Sequence, residues 1–91
     1  MLISPSTRAD KKWMAEHDGK RVHFGARGYD DYATHKDPER RRLYIARHLH
    51  EDYSNPMSPA WLSRYLLWEK PTLLGAIRAA NAKGVRVRLA S

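Results

Sequence analysis

Lys12-Trp13-Met14-Ala15-Glu16-His17-Asp18-Gly19-Lys20-Arg21-Val22-His23-Phe24-Gly25 reads as two strands joined by a two-residue turn. Asp-Gly supplies the positive φ values of a type I′ turn, whose twist matches that of the strands it joins. The turn sets the register: His17 opposite Lys20, Ala15 opposite Val22, Trp13 opposite Phe24. Trp13, Ala15, Val22 and Phe24 then share the apolar face, which must be buried, while Met14, Glu16, Arg21 and His23 take the other. Gly25 and Gly28 close the hairpin with backbone angles that residues bearing a Cβ avoid.

Helices are expected downstream. Tyr29 to Lys36 fits either a helical turn or a structured loop. Asp37-Pro38 then opens a helix with an N-cap aspartate and proline at the first position. Tyr44, Ile45, His48 and Leu49 form its apolar stripe, and Ser54-Asn55-Pro56 breaks it. Ser58-Pro59 repeats the cap, with Trp61, Leu62, Tyr65 and Leu66 at helical spacing up to Trp68-Glu69-Lys70-Pro71. Pro71-Thr72 starts a third helix with Leu73, Leu74, Ile77 and Ala80 on one side, and Gly84 fits a left-handed C-terminal cap. Val85-Arg86-Val87-Arg88-Leu89 alternates strictly, the mark of a strand with one apolar face and one arginine face. Residues 1–10, with Ser4-Pro5-Ser6-Thr7 and no periodicity, read as a flexible arm. The expected architecture is a single α+β domain over 11–91. Its hairpin and C-terminal strand form a small antiparallel sheet packed by about three helices, anchored by Trp13, Phe24, Trp61 and Trp68.

Composition narrows the function classes. Apolar residues at 42% and charged residues at 30% of 91 are globular proportions. The absence of Cys excludes a disulfide scaffold, a zinc ribbon and a thiol nucleophile. No run approaches the ~18 apolar residues of a membrane span, and Met1-Leu2-Ile3-Ser4-Pro5 is too short for a signal-peptide core, so secretion is not expected. Seventeen Lys and Arg against ten Asp and Glu give a net charge of +7. Such a surface attracts polyanions, although a charged surface also serves solubility alone. Arg outnumbers Lys eleven to six, and its planar fork of donors suits phosphate.

The candidate nucleic-acid contacts are Lys11, Lys12, Arg21, Arg27, Arg40, Arg41, Arg42, Arg47, Arg86 and Arg88. Arg40-Arg41-Arg42 stands in a first helical turn, where the macrodipole disfavours cations. An external anion explains that placement, and so does pairing with Asp30, Asp31 or Asp37. Contacts of this kind give affinity with little sequence specificity. Tyr29 and Tyr32, in a Gly- and Asp-rich loop, are candidates for exposed contact. Trp61, Tyr65 and Trp68 suit a core better than a base-stacking platform. No His pair has i,i+4 spacing, so no metal or other cofactor is expected.

A hairpin followed by a helix, with His23, Asp30, Asp31 and His35 nearby, has the outline of the hairpin-helix nucleases that hold one metal ion. Such sites need metal ligands on the helix. This helix offers only His48, His50, Glu51 and Asp52 near its end, on diverging faces. No catalytic residue is therefore assigned.

The string His23 to Tyr32, continuing through His35-Lys36-Asp37 and Arg41-Arg42 to Tyr44-Ile45-Ala46-Arg47-His48, resembles a family pattern. So does Leu62-Ser63-Arg64-Tyr65-Leu66-Leu67-Trp68, followed by Lys70-Pro71-Thr72-Leu73. Over about residues 11–80 the chain resembles a family of small, basic, uncharacterised proteins of large DNA viruses of algae and amoebae. The resemblance implies a viral setting, in the virion or the infected cell's cytoplasm or nucleus, and brings no catalytic residues. Two functions are expected: a non-enzymatic module binding nucleic acid, DNA foremost, or a minor capsid protein cementing larger coat proteins through its N-terminal arm, exposed aromatics and basic edges. A metal-dependent nuclease-like enzyme is the third and least supported.

Overall fold

The computed structural model describes residues 1–90. The hairpin forms as its turn dictates. Strands β2 (Lys11–His17) and β3 (Lys20–Ala26) pair antiparallel with His17 opposite Lys20, Ala15 opposite Val22 and Trp13 opposite Phe24. Asp18 and Gly19 at the turn have φ of 50° and 77°. Ala15 and Phe24 are buried on the shared face, with Trp13 and Val22 packed at its margin.

The chain's first residues are not an arm. Leu2–Pro5 forms strand β1, antiparallel to β2, with Ile3 opposite Ala15 and wholly buried. The dipeptide Ser4-Pro5 suggested a loop, but proline is tolerated at the end of a strand where no ladder donor is needed. Beyond β1 lies β4 (Arg88–Leu89), parallel to it with Leu2 opposite Arg88. The sheet order is β3-β2-β1-β4. The fold is therefore α+β as expected, with a mixed four-stranded sheet in place of an antiparallel three-stranded one. The C-terminal strand pairs with β1 instead of the hairpin, because β1 already occupies the free edge of β2. The alternation in 85–89 holds: Val87 is buried while Arg86 and Arg88 are exposed. Asn81 caps the outer edge of this segment, its amide donating to the Val87 carbonyl and accepting from the Val87 N–H, both at 2.9 Å.

Helices cover the apolar face. A single turn, α1 (Tyr32–His35), precedes α2 (Pro38–Arg47), whose N-cap Asp37 accepts from the Glu39 N–H at 3.0 Å. Helix α3 (Pro59–Leu62) starts at Ser58, whose Oγ accepts from the Trp61 N–H, and runs into a π-helical turn over Ser63–Leu67. That wider turn sets both Leu66 and Leu67 into the core. Helix α4 (Leu73–Ala82) is capped by Thr72, and Gly84 follows it at φ 92°. Leu74 is half exposed, a quarter-turn from the line of Leu73, Ile77 and Ala80; Ala76 is buried in its stead. Helix α2 ends at Arg47, short of the proline break. Leu49 thus lies past the helix and is 75% exposed. Of the expected anchors, Phe24 and Trp61 are buried, whereas Trp13 and Trp68 pack against the core from outside.

Gly25 decides how closely hairpin and helices approach. Its φ is +79°, and a Cβ there would lie 2.9 Å from Leu67 Cδ1. Gly19 also has positive φ but opens onto empty space. Left-handed geometry costs a non-glycine residue about 1–2 kcal/mol, and overpacking adds roughly 1–3 kcal/mol. Gly25→Ala should therefore lose clearly more stability in urea denaturation than Gly19→Ala, which carries the backbone cost alone.

Candidate nucleic-acid interface

Six of the seventeen Lys and Arg pair with side-chain carboxylates. Lys12 is the most deeply committed. Its Nζ sits 2.9 Å from Asp31 Oδ2 and also donates to the Tyr29 carbonyl. Asp31 is buried and accepts from Thr34 Oγ1 at its other oxygen, at 3.1 Å. The pair ties β2 to the loop that precedes α1. Lys12, expected on phosphate, is a structural cation.

Arg41 is likewise turned inward. Its Nε donates to the Trp68 carbonyl at 2.8 Å, a terminal nitrogen lies 3.7 Å from Glu69, and the guanidinium stands 5.6 Å from the Tyr32 ring centre. Arg64 reaches the other oxygen of Glu69 at 2.6 Å. Arg42 forks onto Glu39 and Arg21 lies 3.4 Å from Glu16, both exposed. Internal pairing therefore accounts for two of the three consecutive arginines, with Glu39 and Glu69 as partners in place of Asp30, Asp31 or Asp37. Glu69 was not singled out in the sequence. Its signal was weak, since a loop carboxylate 28 residues from Arg41 shows no periodic relation to it.

Arg40, Arg47, Arg86 and Arg88 are exposed, and no side-chain carboxylate pairs with them among the described residues. Lys11 is half-buried on β2, and Arg27 folds its Nε back onto the Lys11 carbonyl at 3.0 Å. These candidates do not converge. Arg86 and Arg88 border a groove with Met1, Glu16, His17 and Asp18. Lys11 lines a separate cleft with Lys12, Tyr29, Asp30, Tyr44 and Trp68. Arg40 and Arg47 lie on α2. Tyr29 is 75% exposed, whereas Tyr32 is half-buried beneath Arg41.

Helix α2 buries no residue, and stacking holds it in place. Tyr44 lies flat on Trp68 with ring centres 4.2 Å apart and an interplanar angle of 2°; His48 stacks on Tyr44 at 4.2 Å. His35 meets Trp68 edge-on at 5.3 Å. The residues with the outline of a metal nuclease are engaged separately. His23 Nδ1 is 2.7 Å from Ser6 Oγ, Asp31 holds Lys12, and His35 Nδ1 accepts from the Asp37 N–H. His48 Nδ1 is bonded to Glu51 at 2.9 Å, which holds that carboxyl below its ordinary range. No group of three or more His, Cys, Asp or Glu among the described residues is arranged to hold a metal ion. No helix among them is long and apolar enough to cross a membrane.

The first half of this structure, from β1 through α2, is also where the chain matches known sequences. Residues 1–48 match the model of a family of unknown function, DUF5754. The chain belongs to that family. No curated protein and no solved structure matches it. The matched span reaches His48 and so covers the hairpin, the Lys12–Asp31 pair and α2.

Two predictions follow from this packing. Burial pushes the Tyr44 hydroxyl up to about 12 from its usual 10. The folded state thus prefers neutral Tyr44, so this contribution is complete below pH 10 and is lost as pH rises toward 12. Denaturation midpoints measured from pH 8 upward should fall across that window, and less steeply in Tyr44→Phe. Lys12→Met should cost roughly 2–4 kcal/mol, because it leaves Asp31 buried without its cation. Adding Asp31→Asn to that variant should recover part of the loss in the same urea titration.

Proposed function

We propose that this chain is a non-enzymatic nucleic-acid-binding domain that holds phosphates through arginine with little sequence specificity. The observation that carries the reading is the surplus of cations. After every ion pair is allotted, eleven of the seventeen Lys and Arg remain without a side-chain carboxylate partner among the described residues. Ten of those eleven are exposed. Structural duty explains Lys12, Arg41 and Arg64; it leaves Arg40, Arg47, Arg86 and Arg88 without any. DNA is the favoured polyanion, and the resemblance to proteins of large DNA viruses supports a viral setting, in the virion or the infected cell.

The alternative, a cement protein bridging coat proteins, drew on a free N-terminal arm. Leu2–Pro5 is an inner strand, so that support is gone. A nuclease-like role has less behind it still, since His23, Asp31 and His35 each face a different partner.

Fluorescence anisotropy with labelled duplex DNA, single-stranded DNA and RNA tests the proposal. A domain making about six phosphate contacts should lose roughly a thousandfold in affinity between 50 and 200 mM salt. Weak binding at the lowest salt, to all three probes, would overturn it.

A further inference from the structure

Building on the nucleic-acid reading, we infer that α2 is the docking element and that its ligand is B-form duplex DNA, entered through the major groove. Helix α2 stands outside the core. It buries no residue, and its inner edge is occupied by Arg41 on Trp68 and Glu69, by Tyr44 on Trp68 and by His48 on Tyr44. The opposite face is uncovered: Arg40 and Arg47 are exposed on one flank, Leu43 is 41% exposed between them, and Glu39 with Arg42 form the other flank. This face thus presents two arginines, without a carboxylate partner among the described residues, on either side of a leucine along the helix. A groove with phosphate walls and apolar thymine methyls matches both.

The local electrostatics separate this face from the other basic sites. Arg86 and Arg88 share their groove with Asp18 as well as with the Arg21-paired Glu16, and Lys11 shares its cleft with Asp30 as well as with the Lys12-paired Asp31. On the outer face of α2 the one acidic side chain is Glu39, which Arg42 neutralises. Arg40 and Arg47 are seven residues apart, nearly two turns, so their Cα atoms lie about 10.5 Å apart along one side of the helix. That span and a helix diameter of roughly 10–12 Å suit a major groove about 12 Å wide.

The same geometry disfavours the other nucleic acids. A-form RNA has a major groove too narrow for a helix. Single strands are gripped by exposed aromatic platforms. Here Tyr44 and Trp68 stack on each other, and Tyr53 and Tyr65 meet edge to face at 5.8 Å. Tyr29 alone among the aromatics is 75% exposed.

The test compares Arg40→Glu with Arg47→Glu on α2 against Arg86→Glu with Arg88→Glu near β4, each double variant titrated by anisotropy alongside wild type. The α2 variant should lose at least tenfold in duplex affinity, and its log–log salt slope should shrink by about 2. The β4 variant should lose less. Circular dichroism and Tm should match wild type for both, since none of the four side chains has an ion-pair partner among the described residues. Arg40→Gln with Arg47→Gln, expected to weaken binding by a smaller factor, serves if the reversal disturbs the helix. Steep, tight wild-type binding with the α2 variants unaffected would overturn the docking assignment and leave the nucleic-acid reading standing. So would a preference for duplex RNA or single strands. No wild-type binding would remove both.

Discussion

Ile3 is the residue on which the rest of this molecule depends. Wholly buried, it faces Ala15 across one ladder and Leu89 across the other, so it joins the hairpin to the far end of the chain. Without that strand the hairpin would be a two-stranded ribbon, which is marginally stable in water. With it, the sheet presents a continuous apolar face. The π-helical turn then lays Leu66 and Leu67 against that face, as closely as Gly25 allows.

The second half of the design is a mount for a surface helix. Helix α2 has no core of its own, and aromatic stacking and one shared carboxylate hold it. Tyr44 lies on Trp68, and Glu69 takes both Arg41 and Arg64. The mount uses up the inward cations and leaves the outward ones free. Neighbouring residues of one basic run, Arg40 and Arg41, therefore have opposite fates. Which cation is structural and which is available follows from helical phase, a difference of about 100° per residue.

Local rules made the hairpin legible in the sequence, register included, because Asp18-Gly19 leaves one turn geometry and the pleat does the rest. The caps at Asp37 and Ser58 were equally readable, since each is a short-range bond between neighbours, whereas Thr72, read as part of its helix, is the cap that precedes it. What escaped was long-range. Ile3 ends a three-residue apolar run, Met1-Leu2-Ile3, too short to show a period, and only the partners at Ala15 and Leu89 make it a strand. The parallel pairing of β4 has the same origin. For the candidate surface, charge and arginine bias were visible. The division between paired and unpaired arginines was not, because Glu69 meets Arg41 only through the tertiary fold.

Asn81 has a consequence for assembly. A bare strand edge is a template on which another chain can lay its backbone. The outward N–H and C=O of Val87 are already read by an amide of the same molecule. The sheet thus carries its own stop at one end, a side chain imitating the next strand. At the other end β3 begins with the exposed Lys20, and a charge of that kind on a sheet edge opposes pairing with a second copy. A small sheet built around an inner strand from the chain's first residues is in this way held back from growing into a larger one.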